Sequence, residues 1–567
     1  MDIAGTFMTD LPAPVQVPLM LLSRLRGAFD TAVASLAERC AAGGTQVDAA
    51  LFDKYQVEAY ELAWTCADLL AAETYLREVA PQAAAVEAAL AAVFAVDAIS
   101  ASLPRLETVY LALGLDLGAL RAMSAAPEWA ALRQASGTGE ALAAAGARLV
   151  RHANEGGQTW AVVPLDEPLQ MARASFHRFA MDVVAPQAAA IHRHDLTVPE
   201  PLIDSLRQMG VFGLSIPERL GGIAPDDRDD TQMMVVVTET LSEGSLGAAG
   251  SLITRPEILS RALLVGGTLA QQQHWLPKIA AGQPLCAIAI TEPDAGSDVA
   301  SLQLKASPVQ GGWRLDGAKT WCTFAGKAGL LMVLARTDAD RNLGYKGLSL
   351  LLVEKPPTEA HAFDHQQSDG GRLRGRAIPT IGYRGMHSYE VSFEAWFVPD
   401  DHVIGEATGL GKGFYFTMAG MMGGRLQTAA RACGVMWAAL RAALAYSADR
   451  QVFGAPLNKY PLTLAKLARM AARLAACRHL TYAIARVMDS GGGRVEASLV
   501  KLLACRSAEW LTREALQLHG GMGYAEETDV SRYFVDARVL SIFEGAEETL
   551  ALKVIARGLV EAALSHP

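Results

Sequence analysis

Apolar positions recur every three or four residues over the first 160 residues or so of the chain. The stretch VEAYELAWTCADLLAAETYLREVA (57–80) shows this spacing, which is typical of helices that bury one face. A second block with helical spacing runs from about 166 to 285 and is interrupted by Pro and Gly in SIPERLGG (215–222). The pattern predicts an N-terminal helical domain at 1–162 and a second helical domain at 163–285.

The spacing changes to strict alternation beyond residue 286. In YEVSFE, Tyr389, Val391 and Phe393 alternate with polar residues, which is typical of a strand with one buried face. The turn GGWRLDG (311–317) and the apolar run GLSLLLVEK (347–355) also favour strands, and helical spacing returns after GEATGLGKGF (405–414). The sequence therefore predicts a mostly helical protein with a central β-domain at 286–404 and a last helical domain at 405–567.

Composition narrows the class of protein. A chain of 567 residues is too long for one hydrophobic core, and 51% apolar residues favour much buried surface, including a subunit interface. The net charge of −10 argues against nucleic acid as a partner. Residues 1–22 have early acids and prolines but no basic region, and no run of 18 apolar residues occurs. We expect no signal peptide, no membrane span and a cytoplasmic location.

The seven cysteines are scattered along the chain. They form no CxxC pair and no Cys/His cluster at the spacing of metal ligands. This distribution predicts a reducing compartment and no metal site.

Five short motifs follow one another in the last 400 residues. They are CAIAITEPDAGSD (286–298), KTWCTFAGKA (319–328), DRQVFGAPL (449–457), QLHGGMGY (517–524) and IFEGAEE (542–548). Alone, the first is explained by a strand that ends in an Asx or Ser turn, and the glycine pair by a helix C-cap. Together and in this order, the motifs resemble those of the acyl-CoA dehydrogenase superfamily over roughly residues 165–567. The resemblance implies an α-domain, a β-domain of barrel or sandwich type and a C-terminal four-helix bundle, with residues 1–160 as an added helical domain.

The resemblance also implies FAD as cofactor and assigns flavin contacts to the first two motifs. A flavin ring is flat and apolar with polar edges, so that a stacking aromatic and a few hydroxyl or backbone donors suit it. Trp321 and Thr323 match the pair that covers the ring and bonds N5, although a core aromatic remains an alternative for Trp321. The implied contacts of these two motifs are Ile288, Ile290, Thr291, Ser297, Trp321, Cys322 and Thr323.

Two later motifs match positions that reach the ADP half of FAD, one of them across a subunit boundary. An arginine supplies a planar charge, and glycines allow backbone N–H groups to approach phosphate closely. The matching residues are Arg450, Phe453, Gln517, Gly520 and Gly521, and Glu548 is a further implied flavin contact. The resemblance therefore implies a homo-oligomer, and we expect a dimer rather than a tetramer.

Glu544 falls where most of the family holds its catalytic base. Some relatives place the base directly before the residue that matches Arg425, but that position is Gly424 here. An exposed Glu has a pKa near ~4.3, too low for carbon acids, so the base needs a dry site, to which we expect Ile542 and Phe543 to contribute. The backbone N–H of Glu544 is implied as a donor to the thioester oxygen, with Gly545 also in contact with substrate.

The implied reaction is α,β-dehydrogenation of an acyl-CoA thioester, with an electron-transfer flavoprotein as electron acceptor. Ser297 and Arg425 match residues near the CoA moiety, although MMGGR (421–425) lacks the acid that usually precedes this arginine. Arg255, in the apolar SLITRPEIL, is interpreted as the counter-ion of a second carboxylate on a branched dicarboxylic substrate. The alternative is an arginine that extends its charge to the surface.

Other functions remain open from the sequence. They are dehydrogenation of another short or branched acyl-CoA, a flavin oxidase on the same fold, and a non-dehydrogenating DNA-associated relative. The net charge of −10 and the presence of Glu544 argue against the last of these.

Overall fold

The structure, a computed structural model, describes residues 13–41, 43, 46–79, 85–154 and 160–565. Residues 1–12, which carry much of the signal-peptide prediction, lie outside this description. The chain divides into two compact units. The first comprises Met1–Asp166, Val435–Val487 and Gly493–Pro567, and the second comprises Glu167–Gly434 and Met488–Gly492.

Helices dominate the described chain. The helices are α1 (Ala13–Cys40), α2 (Ala49–Lys54), α3 (Gln56–Val79), α4 (Ala85–Ala112), α5 (Gly118–Ser124), α6 (Pro127–Ser136), α7 (Gly139–Asn154), α8 (Glu167–Phe179), α9 (Ala185–Arg193), α10 (Glu200–Gln208), α11 (Thr231–Gly244), α12 (Thr254–Gly266), α13 (Leu269–Ala280), α14 (Glu406–Gly409), α15 (Gly413–Asp449), α16 (Pro461–Asp489), α17 (Arg494–His519), α18 (Gly521–Tyr524), α19 (Asp529–Leu540), α20 (Glu547–Thr549) and α21 (Arg557–Ser565). The strands are β1 (Cys286–Ala289), β2 (Lys305–Val309), β3 (Gly312–Thr323), β4 (Leu330–Arg336), β5 (Leu348–Glu354), β6 (Ala362–Gln366), β7 (Arg372–Ala377), β8 (Ser388–Pro399), β9 (Gln451–Val452) and β10 (Ala455–Pro456).

In the first unit the N-terminal helices pack on the C-terminal ones. Helix α1 contacts α3, α4 and α21, and α3 contacts α17 and the π-helical turn Leu550–Ala556. Alanines on α3 such as Ala63, Ala67 and Ala71 are fully buried, which lets helix backbones approach closely. The added N-terminal helices and the C-terminal helices therefore share one core.

Helix α4 is long and apolar enough to cross a membrane by length and composition. Within the structure, 67% of its most apolar window is buried. A core helix of a soluble protein meets the same criterion, so the expectation of no membrane span stays a prediction.

The second unit contains an eight-stranded sheet in the order β1-β4-β2-β3-β8-β7-β6, with β5 paired to β4. Strands β1 and β4 are parallel, whereas β3 pairs antiparallel with β2 and β8. The alternation read in YEVSFE is confirmed, because Tyr389, Val391 and Phe393 are at most 2% exposed on β8. The predicted fold class, mostly helical with a central β-domain, is confirmed.

Strands β1, β4 and β5 are apolar on both faces. Alternate residues such as Met332 and Leu350 pack with α12 and α13, whereas Leu331 and Leu351 pack with the rest of the sheet. This double burial holds the end of β1, where the first predicted flavin motif begins, between two cores.

All seven cysteines are buried, and none of them forms a disulfide. Burial raises the pKa of Cys286 and Cys322 to about 12 and that of Cys477 to about 11. Few of these thiols are therefore ionised near neutral pH.

Candidate active site

The predicted flavin contacts in the second unit begin where β1 ends. The Thr320 N–H donates to Thr291 O at 2.8 Å, so β3 and the residues after β1 are held together. Lys319, with a fully buried side chain, donates to Ile290 O at 2.7 Å and to Glu292 Oε1 at 2.8 Å. Burial lowers the pKa of Lys319, and the Glu292 carboxylate opposes that shift. Thr291 therefore lies between two residues that the same ammonium group holds.

Glu292 is itself tied to the chain beyond the motif. Its carboxylate accepts the N–H groups of Gln303 and Leu304 at 2.7 and 2.8 Å. The loop that contains the exposed Ser297 is thereby closed at both ends.

Trp321 departs from the strand in which it lies. Its φ is +57°, the pairing of β3 with β8 shifts register between Lys319 and Cys322, and its side chain is 55% exposed. The alternative of a core aromatic is therefore wrong. A bulky residue in the left-handed region is held there only by its surroundings, and strain of this kind clusters at binding sites.

The neighbours of Trp321 divide between the core and the site. The Cys322 side chain is completely buried, so only its main chain is left for a ligand. Thr323 Oγ1 lies 2.9 Å from Ser388 Oγ on β8, which fixes the hydroxyl assigned to flavin N5. Ile288 on β1 and Ile290 just after it are half-buried and pack against the core that includes α12 and α13.

In the first unit, Arg450 and Phe453 lie on a hairpin formed by β9 and β10. Arg450 is exposed, and its carbonyl accepts Leu457 N–H at 2.8 Å. Phe453 occupies the turn with a φ of +46° and is 98% exposed. Contact with a second subunit at this ring stays a prediction.

The glycine pair follows the end of α17. Gly520 N–H donates to Gln517 O at 3.1 Å and Gly520 has a φ of +59°, so the helix-capping alternative also describes its structure. A Cβ added at Gly520 or Gly521 would meet no described atom within 4 Å, which leaves room for a phosphate to approach. The ring of Tyr446 near the end of α15 stacks on His519 at 4.1 Å, so this loop and the Arg450 hairpin lie close together.

Glu544 lies in a short loop after α19. The residue is half-buried and has a φ of +56°, and the following Gly545 has a φ of +101°. Glu547 N–H donates to Ser541 O at 3.1 Å and closes the loop. Ile542, which we expected to help dry the base, is 53% exposed, and Glu548 is exposed as well. The expectation for Ile542 is wrong for this chain, because its side chain turns outward where the loop leaves the helix.

Sequence reasoning missed the side chains that hold this loop. Lys501 on α17 donates to Phe543 O at 2.7 Å and to Gly545 O at 2.5 Å. A lysine at a buried position of an apolar helix, in ASLVKLLA, was the available signal.

A second contact reaches the loop from the N-terminal helices. Tyr60 on α3 donates from its hydroxyl to Glu547 Oε1 at 2.6 Å, and Arg506 Nη2 donates to the Tyr60 hydroxyl at 2.7 Å. The guanidinium of Arg506, on α17, lies 3.9 Å from the centre of the ring of Trp64, which is on α3 like Tyr60. No sequence signal links positions this far apart.

Arg255 lies on α12 in the second unit and is only 7% exposed. Its Nη1 donates to Ser251 O at 2.8 Å, and no carboxylate among the described residues lies within ion-pair distance of it. The alternative of an arginine that reaches the surface is therefore wrong. A buried cation with one carbonyl partner suits an anionic group of a ligand.

The other predicted CoA contact, Arg425, is half-buried on α15. Gly423 and Gly424 precede it, and a Cβ added at Gly423 would come within 2.3 Å of Glu257 Oε1. That Glu257 oxygen already accepts from Arg261 Nε at 2.9 Å. Gly423 is thus explained by close packing of α15 on α12, and Gly424 offers no carboxyl group.

One cluster of potential metal ligands occurs among the described residues of the second unit. Atoms of Asp195, His361 and His387 lie within 4.8 Å of one another, and Arg384 Nε lies 3.6 Å from Asp195 Oδ1. The guanidinium already supplies positive charge to that carboxylate. The expectation of no metal site stays a prediction.

Comparisons with known proteins cover most of the chain. Family models match in order: Acyl-CoA dehydrogenase, N-terminal domain, at residues 166–283; middle domain at 287–396; and C-terminal domain at 411–560. The chain is 42% identical over 422 residues to (2S)-methylsuccinyl-CoA dehydrogenase of Cereibacter sphaeroides, covering 74% of each protein.

Two solved structures extend the comparison. Butyryl-CoA dehydrogenase from Megasphaera elsdenii matches at 30% identity with a TM-score of 0.63, over 69% of this chain and 98% of that one. A glutaryl-coenzyme A dehydrogenase in complex with glutaryl-CoA matches at 26% identity with a TM-score of 0.62, over 69% and 94%.

Proposed function

The chain belongs to the acyl-CoA dehydrogenase family, whose members are FAD-dependent oxidoreductases, and from this premise we propose that it oxidises a branched dicarboxylic acyl-CoA. The proposed reaction converts (2S)-methylsuccinyl-CoA into mesaconyl-CoA. The 42% identity to a methylsuccinyl-CoA dehydrogenase supports this substrate. The residues of the two units support the chemistry in different ways.

The residues after β1 and on β3 fit a flavin. The outward indole of Trp321 offers a flat surface, and Thr291 after β1 and Thr323 on β3 offer hydroxyls on neighbouring segments. FAD, when bound, accepts the substrate's β-hydrogen as hydride.

Glu544 is proposed to remove the α-proton. Its carboxylate takes the proton as the β-hydrogen leaves with its electron pair and the Cα–Cβ double bond forms, so that the substrate loses two protons and two electrons in all. General-base catalysis contributes roughly 10²- to 10⁴-fold, and a fixed donor to the developing thioester oxyanion contributes about 3 to 4 kcal/mol. We assign the donor role to the backbone N–H of Glu544.

Arg255 is the observation that carries the choice of a dicarboxylic substrate. A buried guanidinium without an anionic partner is costly, and pairing it with a second substrate carboxylate recovers much of that cost. A planar fork of N–H donors also matches a carboxylate geometrically. A monocarboxylic acyl chain would leave this cation unpaired.

A panel of thioesters tests the proposal. The holoenzyme is mixed anaerobically with (2S)-methylsuccinyl-, glutaryl-, isovaleryl- and butyryl-CoA, and loss of flavin absorbance is recorded. We expect methylsuccinyl-CoA to have the highest kcat/KM. Fastest reduction by butyryl-CoA would contradict the substrate while leaving the reaction class intact.

Substitution of Arg255 then tests its role in substrate recognition. We expect Arg255→Met to lower kcat/KM for methylsuccinyl-CoA by roughly 10- to 100-fold, since a charged hydrogen bond is lost, and to change butyryl-CoA turnover little. Arg336→Met is the matched control, because Arg336 is also buried but donates to the carbonyls of Leu302, Gly344 and Ala300. An equal loss with both thioesters in Arg255→Met would remove it from substrate recognition.

The proposal includes a cytoplasmic homodimer that passes electrons to an electron-transfer flavoprotein. Reduced enzyme should reoxidise slowly in air and rapidly when that acceptor is added. Rapid oxidation by oxygen alone would identify a flavin oxidase instead.

A further inference from the structure

Lys501 contacts the two carbonyl groups on either side of the proposed base. Its side chain is 1% exposed, and its Nζ donates to Phe543 O and Gly545 O. Between them, Glu544 has a φ of +56°, a conformation that costs a non-glycine residue free energy and persists only where the surroundings enforce it. Charge-assisted hydrogen bonds of this kind are about twice as strong as neutral ones.

The geometry of the peptide unit extends this contact to the catalytic donor. Phe543 C=O and Glu544 N–H belong to one planar trans peptide, so the two groups point in opposite directions. A bond that fixes the direction of the carbonyl therefore also fixes the direction of the N–H. An ammonium group on the carbonyl oxygen further polarises the peptide and makes its N–H a better donor.

We propose that Lys501 is a positioning residue that aims and polarises the Glu544 N–H toward the substrate's thioester oxygen. The proposal rests on the proposed function, because only an acyl thioester places an oxyanion at that N–H. In this role Lys501 acts through the Phe543–Glu544 peptide. Its bond to Gly545 O holds the other end of the loop in register.

A second lysine in the chain provides a matched control. Lys355 is 5% exposed, and its Nζ donates to Gly326 O and Pro356 O, both at 2.9 Å. Replacing it by methionine removes the same kind of buried ammonium from two carbonyls, but in the second unit. Lys355→Met therefore reports the general cost of losing such a contact.

The first experiment compares turnover of Lys501→Met and Lys355→Met with the wild-type holoenzyme, using methylsuccinyl-CoA and equal FAD content. We expect kcat of Lys501→Met to fall about 10²- to 10³-fold, the effect of losing one oxyanion donor, with KM nearly unchanged. Lys355→Met should stay within a few-fold of wild type. Equal kcat values for the two variants would overturn the proposal.

The second experiment separates the donor from the base. Mesaconyl-CoA labelled with ¹³C at its thioester carbonyl is bound, and its carbonyl stretch is measured by isotope-edited infrared difference spectroscopy. Glu544→Gln keeps its backbone N–H, so we expect the stretch to be lowered as in wild type. In Lys501→Met it should move toward the value of the free thioester. A carbonyl stretch in Lys501→Met equal to that in the wild type would overturn the proposal even if turnover fell.

A second variant tests the proposal if Lys501→Met fails to fold. If Lys501→Met does not retain FAD, Lys501→Gln supplies a neutral donor for one carbonyl, and we expect an intermediate kcat and carbonyl stretch. Wild-type behaviour of Lys501→Gln in both measurements would refute a role for the charge. If no acyl-CoA reduces the wild-type flavin, the proposed function itself fails, whereas a reducible wild type with an unaffected Lys501→Met fails only this inference.

Discussion

Two segments carry the proposed chemistry, and each lies against a buried lysine. Lys319 bonds one carbonyl, that of Ile290, and one carboxylate, that of Glu292, on either side of Thr291. Lys501 bonds two carbonyls, those of Phe543 and Gly545, on either side of Glu544. The first ammonium is neutralised inside an ion pair, whereas the second acts on peptide dipoles next to an ionisable base. We call residues 290–292 the flavin segment and residues 543–545 the base segment. We infer that the lysine of the flavin segment mainly stabilises the fold, whereas the lysine of the base segment sets the direction of its peptide groups.

The largest effect is expected from replacing Glu544, the central residue of the base segment. Glu544→Gln removes the base but keeps the loop and its lysine contacts, so turnover should fall by up to about 10⁴-fold, while FAD and ligand binding persist. Rapid-mixing measurements of flavin reduction test this. Retained turnover would show that another group takes the α-proton.

Removing the other lysine should affect folding instead. Lys319→Met leaves the buried Glu292 carboxylate without its cation, which should lower the free energy of unfolding by about 3 to 5 kcal/mol in urea titrations. The double variant Lys319→Met/Glu292→Leu should recover part of this loss, because no lone charge remains. A single variant of wild-type stability, or a double variant less stable than the single one, would contradict the distinction between the two lysines.

A smaller effect is expected where the N-terminal helices reach the base segment. Tyr60→Phe removes the hydroxyl that bonds Glu547 and should cost about 1 kcal/mol of stability and less than a 10-fold drop in kcat. Tyr110→Phe is the matched control, since its hydroxyl donates to Ala28 O in the same helices but away from the loop. Equal kcat in the two variants would limit the N-terminal helices to a structural role.

The smallest effect concerns a buried histidine, whose charge titrates at lower pH than that of a lysine. His479 on α16 faces Glu78, Glu87 and Tyr75, and the Glu78 carboxylate also accepts a hydrogen bond from Arg486. Burial lowers the pKa of His479, but the two carboxylates outweigh burial and raise it above its usual value. This stabilisation is fully present below about pH 6.5 and is lost as pH rises through the raised pKa of the folded state.

Urea titrations from pH 5.5 to 8.5 measure that contribution as the difference between wild type and His479→Gln. The difference should shrink as pH rises. His519→Gln provides a control of opposite sign, because burial lowers the pKa of His519 and its charged form is disfavoured in the folded protein. A difference that grew with pH for His479 would show that the carboxylates do not hold its proton.

The elements and the motifs could be predicted from the sequence, but the contacts that position them could not. Alternation placed Tyr389, Val391 and Phe393 inward on β8, because a strand's period of two is a local property. The bonds of Lys501 to Phe543 and of Tyr60 to Glu547 span 42 and 487 residues, and no local pattern encodes them. The outward turn of Ile542 escaped prediction as well, since it depends on the backbone geometry of the loop after α19.

Because every cysteine is buried, the reaction of each thiol with a reagent reports local opening of the protein around it. Cys40 and Cys66 lie in the N-terminal helices, Cys286 and Cys322 in the sheet, and Cys433, Cys477 and Cys505 in the C-terminal helices. A thiol shielded in this way reacts with an alkylating reagent only after its surroundings separate. Peptide mass spectrometry of protein alkylated during mild heating would therefore reveal the order in which these regions come apart, without any engineered label.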